Sequence, residues 1–256
     1  MKKTKLILAL LVVLALLFSV TACSGKTETP KSDKVYKIAT DTTFAPFEFE
    51  DANGNFVGID MELLAAIAED QGFKYEISIL GFDASLQAVQ SKQVDGMIAG
   101  MSITEERKKV FDFSDPYFDS GVIMGIAKNN DTIKSYEDLK GKKVAVKTGT
   151  EGAAFASSIA EQYGFSLVYF DDSANLYQDV ILGNTAACFE DYPVLGYAIA
   201  KGQALKTVTE MERGSSYGFA VLKGSNPELI KMFNAGLKNL KANGEYQKIL
   251  DKYIQK

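Results

Sequence analysis

Arg107 is the residue whose type and setting most directly suggest chemistry. It stands in Gly100-Met101-Ser102-Ile103-Thr104-Glu105-Glu106-Arg107, where an apolar, strand-like run at 96–101 ends in small and hydroxyl residues. Thr104 can cap a helix that begins there, and Glu105 and Glu106 suit its positive end. Backbone N–H groups at such a start, beside a fixed guanidinium, make a carboxylate site. Pro116 stops any helix soon afterwards. The same residues equally suit a solvated arginine in a charged turn, whose ion pairs contribute little. A second cluster is Glu190-Asp191, two adjacent acids that close the apolar run at 186–189. Asp191 could cap a following helix, and neighbouring acids can raise a pKa or attract a cation. Successive strand residues face opposite sides, so Glu190 can point away from whatever Asp191 faces. Lys147 ends the apolar run Val144-Ala145-Val146, as a solvated strand end would. Asp41 suits a turn, and Phe44 and Phe82 suit a core.

The chain has 256 residues and no histidine, which removes Ser-His and Cys-His nucleophiles and the usual zinc sites. The acids lack calcium-loop spacing, and Gly141-Lys142-Lys143 lacks the glycine that a phosphate loop needs. The reading therefore carries no cofactor and no metal. Lys2, Lys3 and Lys5 precede an apolar run at 6–20 that is short for a membrane span. Val20-Thr21-Ala22-Cys23 resembles a lipobox, with cleavage before Cys23 and lipidation of its thiol; an ordinary signal peptide is the alternative. Residues 1–22 are thus expected to be a signal peptide and 23–34 a lipid-anchored, polar linker. Cleavage would remove three of the 28 Lys and Arg and none of the 33 Asp and Glu, taking the formal charge from −5 to −8. That balance, without a basic block, argues against nucleic acid. Only Cys188 would remain unmodified, so no internal disulfide is expected.

Positioning these groups falls to an alternation of strands and helices. A strand at 35–40 runs into an aromatic loop at 41–49. Ile59, Leu63 and Ile67 mark a helix closed by Gly72, and Tyr75, Ile77 and Ile79 alternate as a strand. A helix at 82–90 and the strand at 96–101 follow, then a strand at 121–127. The rhythm restarts with a short helix at 135–139, a strand at 144–147, and a helix from the 148–152 loop to Gly164. Strands at 167–170 and 186–190 alternate with helices at 175–182 and 192–200. A strand around Val208 and another at 219–222 precede helices at 227–242 and 245–254. Such alternation implies βαβ units with mainly parallel sheets flanked by helices, and ligands beyond the carboxyl ends of strands. Two sets of elements joined near 117–121 and 214–218 imply two lobes, with glycines able to absorb a hinge rotation.

Several ordered motifs also carry a resemblance. Pro46-Phe47-Glu48-Phe49, Gly58-Ile59-Asp60-Met61-Glu62-Leu63, Thr104-Glu105-Glu106-Arg107-Lys108-Lys109, Phe113-Ser114-Asp115-Pro116-Tyr117, Asp138-Leu139-Lys140-Gly141-Lys142-Lys143-Val144 and Gly244-Glu245-Tyr246-Gln247-Lys248-Ile249 resemble family 3 extracellular solute-binding proteins of amino-acid ABC importers. The segments 41–49 and 144–150 are most similar to the site loops of the glutamine-binding members. The resemblance implies an α/β, two-lobed, type II periplasmic-binding-protein-like fold. Its first lobe would be 35–117 with 219–256, its second 122–213, and its crossings 118–121 and 214–218. It implies a monomeric binder, not an enzyme, held to the outer face of the membrane by lipidated Cys23 and docking on ABC permease subunits. By the same likeness Arg107 would hold the ligand's α-carboxylate, helped by Ser102 and Thr150. Asp191 and the Gly100 carbonyl would take its ammonium, and Phe44 and Phe82 would sandwich it. Asp41 and Lys147 would receive a side-chain amide, which favours glutamine over glutamate. Arginine, cystine or glutamate are the alternatives. A remoter one is a dehydratase on the same fold, with Glu190 as general acid.

Overall fold

Why the chain makes two lobes is visible in its strand pairing. The computed structural model describes residues 34–254, so the expected signal peptide and Cys23 lie outside the described residues. The first lobe begins with β1 (Val35–Thr40). A small antiparallel sheet follows, made of β2 (Thr43–Phe44), β3 (Glu48–Glu50) and β4 (Phe56–Val57). Then come α1 (Ile59–Gln71), β5 (Lys74–Ile79), α2 (Phe82–Gln90), β6 (Gly96–Met97) and β7 (Phe111–Phe113). The long strand β8 (Phe118–Ala127) leads into the second lobe. There β9 (Lys143–Lys147), α3 (Glu151–Tyr163), β10 (Ser166–Phe170), α4 (Ser173–Ile181), β11 (Ala187–Asp191), α5 (Tyr192–Ala200) and β12 (Leu205–Thr207) follow in turn. The chain returns along β13 (Glu212–Tyr217) to β14 (Ala220–Leu222), α6 (Pro227–Asn243) and α7 (Glu245–Tyr253).

The first sheet has the order β5-β1-β6-β14-β7 and the second β10-β9-β11-β8-β12. Each is parallel across its first three strands and antiparallel across the last two. Four of the five strands in each order thus run the same way, as expected of mainly parallel sheets, and one is reversed in each: β14, supplied by the returning chain, and β8, after its crossing. Helices cover both faces, because buried parallel strands such as Val144-Ala145-Val146 are apolar on both sides. In the first lobe, Phe219 stacks on Phe233 at 4.9 Å, within a core that includes Ile38, Leu63 and Leu237.

Several expectations need correction. The run at 96–101 is strand only at Gly96–Met97, because Gly100 has φ +51 and turns the chain away. The helix foreseen from Thr104 is a single 3-10 turn, Arg107–Lys109, although Thr104 does accept the Arg107 N–H at 3.1 Å as a cap should. The loop at 41–49 contains two strands of the small sheet, and Phe111–Phe113 is a strand that the charged surroundings concealed. The strand placed around Val208 is Leu205–Thr207, and that foreseen at 186–190 runs one residue later, to Asp191. Lys34, expected in a free tether, bonds Asp95 at 2.7 Å.

The two crossings are not glycine loops. β8 and β13 pair antiparallel with Tyr217 opposite Phe118, Ser216 opposite Asp119 and Ser215 opposite Ser120, so a two-stranded ribbon joins the lobes. Phe47 packs edge-on against both Phe118 and Tyr217, each at 4.9 Å, which fixes the ribbon to the first lobe.

Candidate functional site

The ends of β1, β9 and β11 and the Gly100–Arg107 loop converge between the lobes. Asp41 directly follows β1, and Lys147 is the last residue of β9. The Lys147 ammonium donates to the Asp41 carboxylate across the cleft, and both side chains are almost fully buried. Lys147 Nζ also lies 5.0 Å from the centroid of the Phe44 ring. Lys147 is therefore not a solvated strand end. A buried pair of this kind is held by mutual need: removing one member typically costs about 3–5 kcal/mol, because the other charge is left stranded.

Arg107 reaches across the same cleft. Its Nη1 donates to the Ser102 carbonyl at 2.9 Å within its own loop, and its Nη2 to the Gly149 carbonyl of the second lobe at 3.0 Å. The guanidinium lies over the Phe82 ring, 5.3 Å from its centroid. Removal from water pulls its pKa down, and the charges of Glu151 and Asp191 oppose that pull. The group stays cationic at any physiological pH.

Asp191 ends β11 at the N-terminus of α5, but its side chain caps nothing there. The carboxylate instead accepts the Tyr217 hydroxyl at 2.6 Å, and that hydroxyl accepts from Ser120 at 3.0 Å. Burial first, and the nearby charge of Glu190 second, push the Asp191 carboxyl up to about 7; the Tyr217 bond and Arg107 pull the other way. Asp191 is thus an acid at the head of a helix that does not cap it and sits within the field of a guanidinium from the other lobe.

Glu190 faces the opposite side of β11, toward α4. Its carboxylate accepts from Ser173 Oγ at 2.9 Å, Tyr177 OH at 3.3 Å and the Asp191 N–H at 3.0 Å. Burial raises its pKa, which the Lys147 charge and these bonds oppose. Three donors and near-complete burial make it a brace for the strand end, not a free acid.

The remaining candidates fall around these groups. Phe82 and Phe44 are both buried, at 5 % exposure each. Gly100 lies so close to Phe44 that a Cβ there would approach its ring to 2.4 Å. Its N–H donates to Asp60 at 2.8 Å. The Ser102 hydroxyl meets Ser215 Oγ at 3.3 Å, and the Thr150 hydroxyl caps α3 by accepting the Ala153 N–H at 3.2 Å while donating to the Lys147 carbonyl at 2.7 Å. Thr150 thus builds the site without offering that proton to it. Tyr217 was missed in the sequence because it falls in a segment read as a loop; a tyrosine amid small polar residues was the available signal. Thr43 was missed too, and its hydroxyl receives the Ser173 N–H from the second lobe at 3.4 Å. Among the described residues, no group of three or more Cys, Asp or Glu side chains is placed to hold a metal ion, and no helix is long and apolar enough to cross a membrane.

Two α/β lobes joined by a ribbon, with charges from both buried between them, define the two-lobed type II class of solute-binding proteins. The chain matches the model of bacterial extracellular solute-binding proteins, family 3, over residues 36–256, and it belongs to that family. It is 32% identical to the arginine-binding extracellular protein ArtP of Bacillus subtilis over 249 residues, 96% of this chain and 97% of the relative. It is 48% identical to substrate-binding domain 2 of Lactococcus lactis GlnP in an open conformation, with a TM-score of 0.61 and coverage of 89% and 98%. An ancestral arginine-binding protein bound to glutamine is 41% identical, with a TM-score of 0.79 and coverage of 87% and 98%. The more similar sequence in its open form thus superposes less well than the more distant one with ligand. That order agrees with the bonds from Arg107 and Lys147 that span the lobes here.

Tyr217→Phe deprives buried Asp191 and Ser120 of their shared partner. It should lower the unfolding free energy by about 1–3 kcal/mol, measured by urea denaturation. Unchanged stability would show that the hydroxyl does not hold the carboxylate.

Proposed function

We propose that this protein captures a free polar amino acid, glutamine, outside the cytoplasmic membrane and delivers it to an ABC importer. The observation that carries the reading is Arg107 from one lobe set near Asp191 from the other, the guanidinium half-buried, the carboxyl buried, and each within the other's field. An α-amino acid has one anion and one cation a few atoms apart, and this site offers the opposite of each. Arg107 would exchange its carbonyl partners for the ligand carboxylate, which its planar fork can hold bidentately for roughly 1.5–3 kcal/mol per charged bond. Asp191 would take the ammonium. Phe44 and Phe82 would wall the ligand from water.

Glutamine is favoured by the Asp41–Lys147 pair. A carboxylate can accept the amide N–H and an ammonium can donate to the amide oxygen, so a neutral amide inserts between them without leaving either charge alone. Glutamate would set its charge against Asp41. Arginine is the second reading, because ArtP is named for it and the ancestral relative is bound to either arginine or glutamine. Against it stand the Lys147 charge in the side-chain pocket and the engagement of Glu190 with Ser173, Tyr177 and the Asp191 amide. The same three bonds count against Glu190 as the general acid of a dehydratase.

Capture proceeds by closure. A ligand that touches both lobes favours the arrangement in which both reach it, by the difference of its affinities for the two forms. The lobes 35–117 with 219–256 and 122–213 would turn about the ribbon. Lipidation of Cys23 would keep the monomer near the permease subunits, where a high local concentration makes weak docking sufficient.

Arg107→Ala should abolish glutamine binding in calorimetry while leaving the circular dichroism spectrum intact; retained affinity would refute the assignment. The Asp191 carboxyl, raised to about 7 without ligand, must be ionised to hold an ammonium. Binding at about pH 6 should therefore release a proton, seen as a binding heat that varies with the buffer's ionisation enthalpy. The same heat in every buffer would remove Asp191 from the ammonium's contacts.

A further inference from the structure

Beneath the ligand loop lie two carboxyls that the binding reading does not use. Glu48 opens β3 opposite Phe44, with no exposed surface, and Asp60 stands in the first turn of α1, also fully buried. Among the described residues, neither Glu48 oxygen receives an N–H or O–H, and neither does Asp60 Oδ1. Asp60 Oδ2, in contrast, accepts the Gly100 N–H at 2.8 Å and the Tyr117 hydroxyl at 2.9 Å. The Glu48 and Asp60 carboxyls lie close enough to shift each other's titration. Two ionised carboxylates could not bond to each other, since each only accepts, so a bond between them needs one proton.

We propose that Glu48 and Asp60 hold one proton between them, and that this proton ties the Gly100 ligand loop to the inter-lobe ribbon at Tyr117. Glu48 donates from one oxygen and Asp60 accepts, which gives a role to as many as two of the three unpartnered oxygens. Loss of the proton would set two anions against each other between β3 and α1. It would loosen Phe44, which pairs with Glu48, and Gly100, which Asp60 holds. The inference rests on the reading of Gly100 and Phe44 as ligand contacts.

The surroundings agree. Burial, then the charges of Asp60 and Asp41, push the Glu48 carboxyl well above the usual range, and Lys147 is the opposing cation. Burial raises Asp60 to about 6 against the pull of its two donors and Glu48. Burial and the same two acids raise Tyr117, so it remains a neutral donor. The strands β2 and β4, which both pair with β3, carry no titratable side chain. On α1, Glu62 is engaged by Tyr253 at 2.6 Å and by Lys252.

The sign of the effect follows from linkage. The folded protein keeps a proton that the unfolded chain releases above about 4.5, the usual glutamate value. Its contribution is full below that pH and is lost as pH rises toward the folded pKa. Glu48→Gln replaces the proton with a permanent amide donor. Unfolding constants of ligand-free wild type and Glu48→Gln, measured in urea from about pH 5 to 9, should diverge by up to about tenfold per pH unit, with wild type losing more. Asp191 and Glu190 titrate in both proteins and cancel. The glutamine dissociation constant of wild type should rise relative to the variant over the same range. Parallel stability profiles would overturn the proposal. Should Glu48→Gln not fold, carbon-13 NMR of the wild-type carboxyls decides instead: Glu48 still protonated at neutral pH supports it, and Glu48 ionised there ends it. If glutamine binds at no pH, the functional reading fails, while the ligand-free comparison still judges the proton.

Discussion

A charge removed from water must meet an opposite charge, and here the opposites stand on different lobes. Lys147 finds Asp41 across the cleft, and Arg107 and Asp191 act on each other from facing sides. Neither lobe alone can neutralise what it exposes at the cleft. The arrangement seen here therefore satisfies a constraint built into both halves, and on the proposed reading a zwitterion would replace the carbonyls that hold Arg107. Phe82 lies beneath the Arg107 guanidinium and Phe44 beside the Lys147 ammonium, and charges next to apolar rings interact more strongly than in water.

The lobes can share these charges only because the connecting ribbon is well placed. β8 and β13 are bonded to each other as they leave the first lobe, and Tyr217 sits where the ribbon enters the site. One face of that ring packs on Phe47, and its hydroxyl bonds Asp191. Tyr117 does the corresponding work below, bonding Asp60, which in turn holds Gly100. The two tyrosines link the polar chemistry of the cleft to the aromatic packing of the crossing.

Much of this was legible in the residues. Helix α5 runs over the foreseen 192–200, where Pro193 in its first turn suits a helix start and the apolar run carries it on. The lobes' βα alternation followed from periodicity, and the family from ordered motifs. What escaped was non-local. The small sheet of β2, β3 and β4 has strands of two or three residues, too short for any alternation to show. The ribbon was hidden because Gly214-Ser215-Ser216 reads as a turn, and only its pairing with β8 makes it a strand. That Lys147 is buried depends on Asp41, 106 residues earlier, which no local pattern reports. Glu48 and Asp60 lay within quoted motifs, yet their contact appears only when β3 is folded against α1.

The central claim is that Arg107 and Asp191 grip opposite ends of one small zwitterion. A crystal structure of the protein grown with glutamine tests it most directly. The account predicts the ligand carboxylate on the Arg107 guanidinium, its ammonium on the Asp191 carboxylate, and its amide between Asp41 and Lys147. Density placing the ligand's charged ends on other groups, or a glutamine that touches one lobe only, would contradict it.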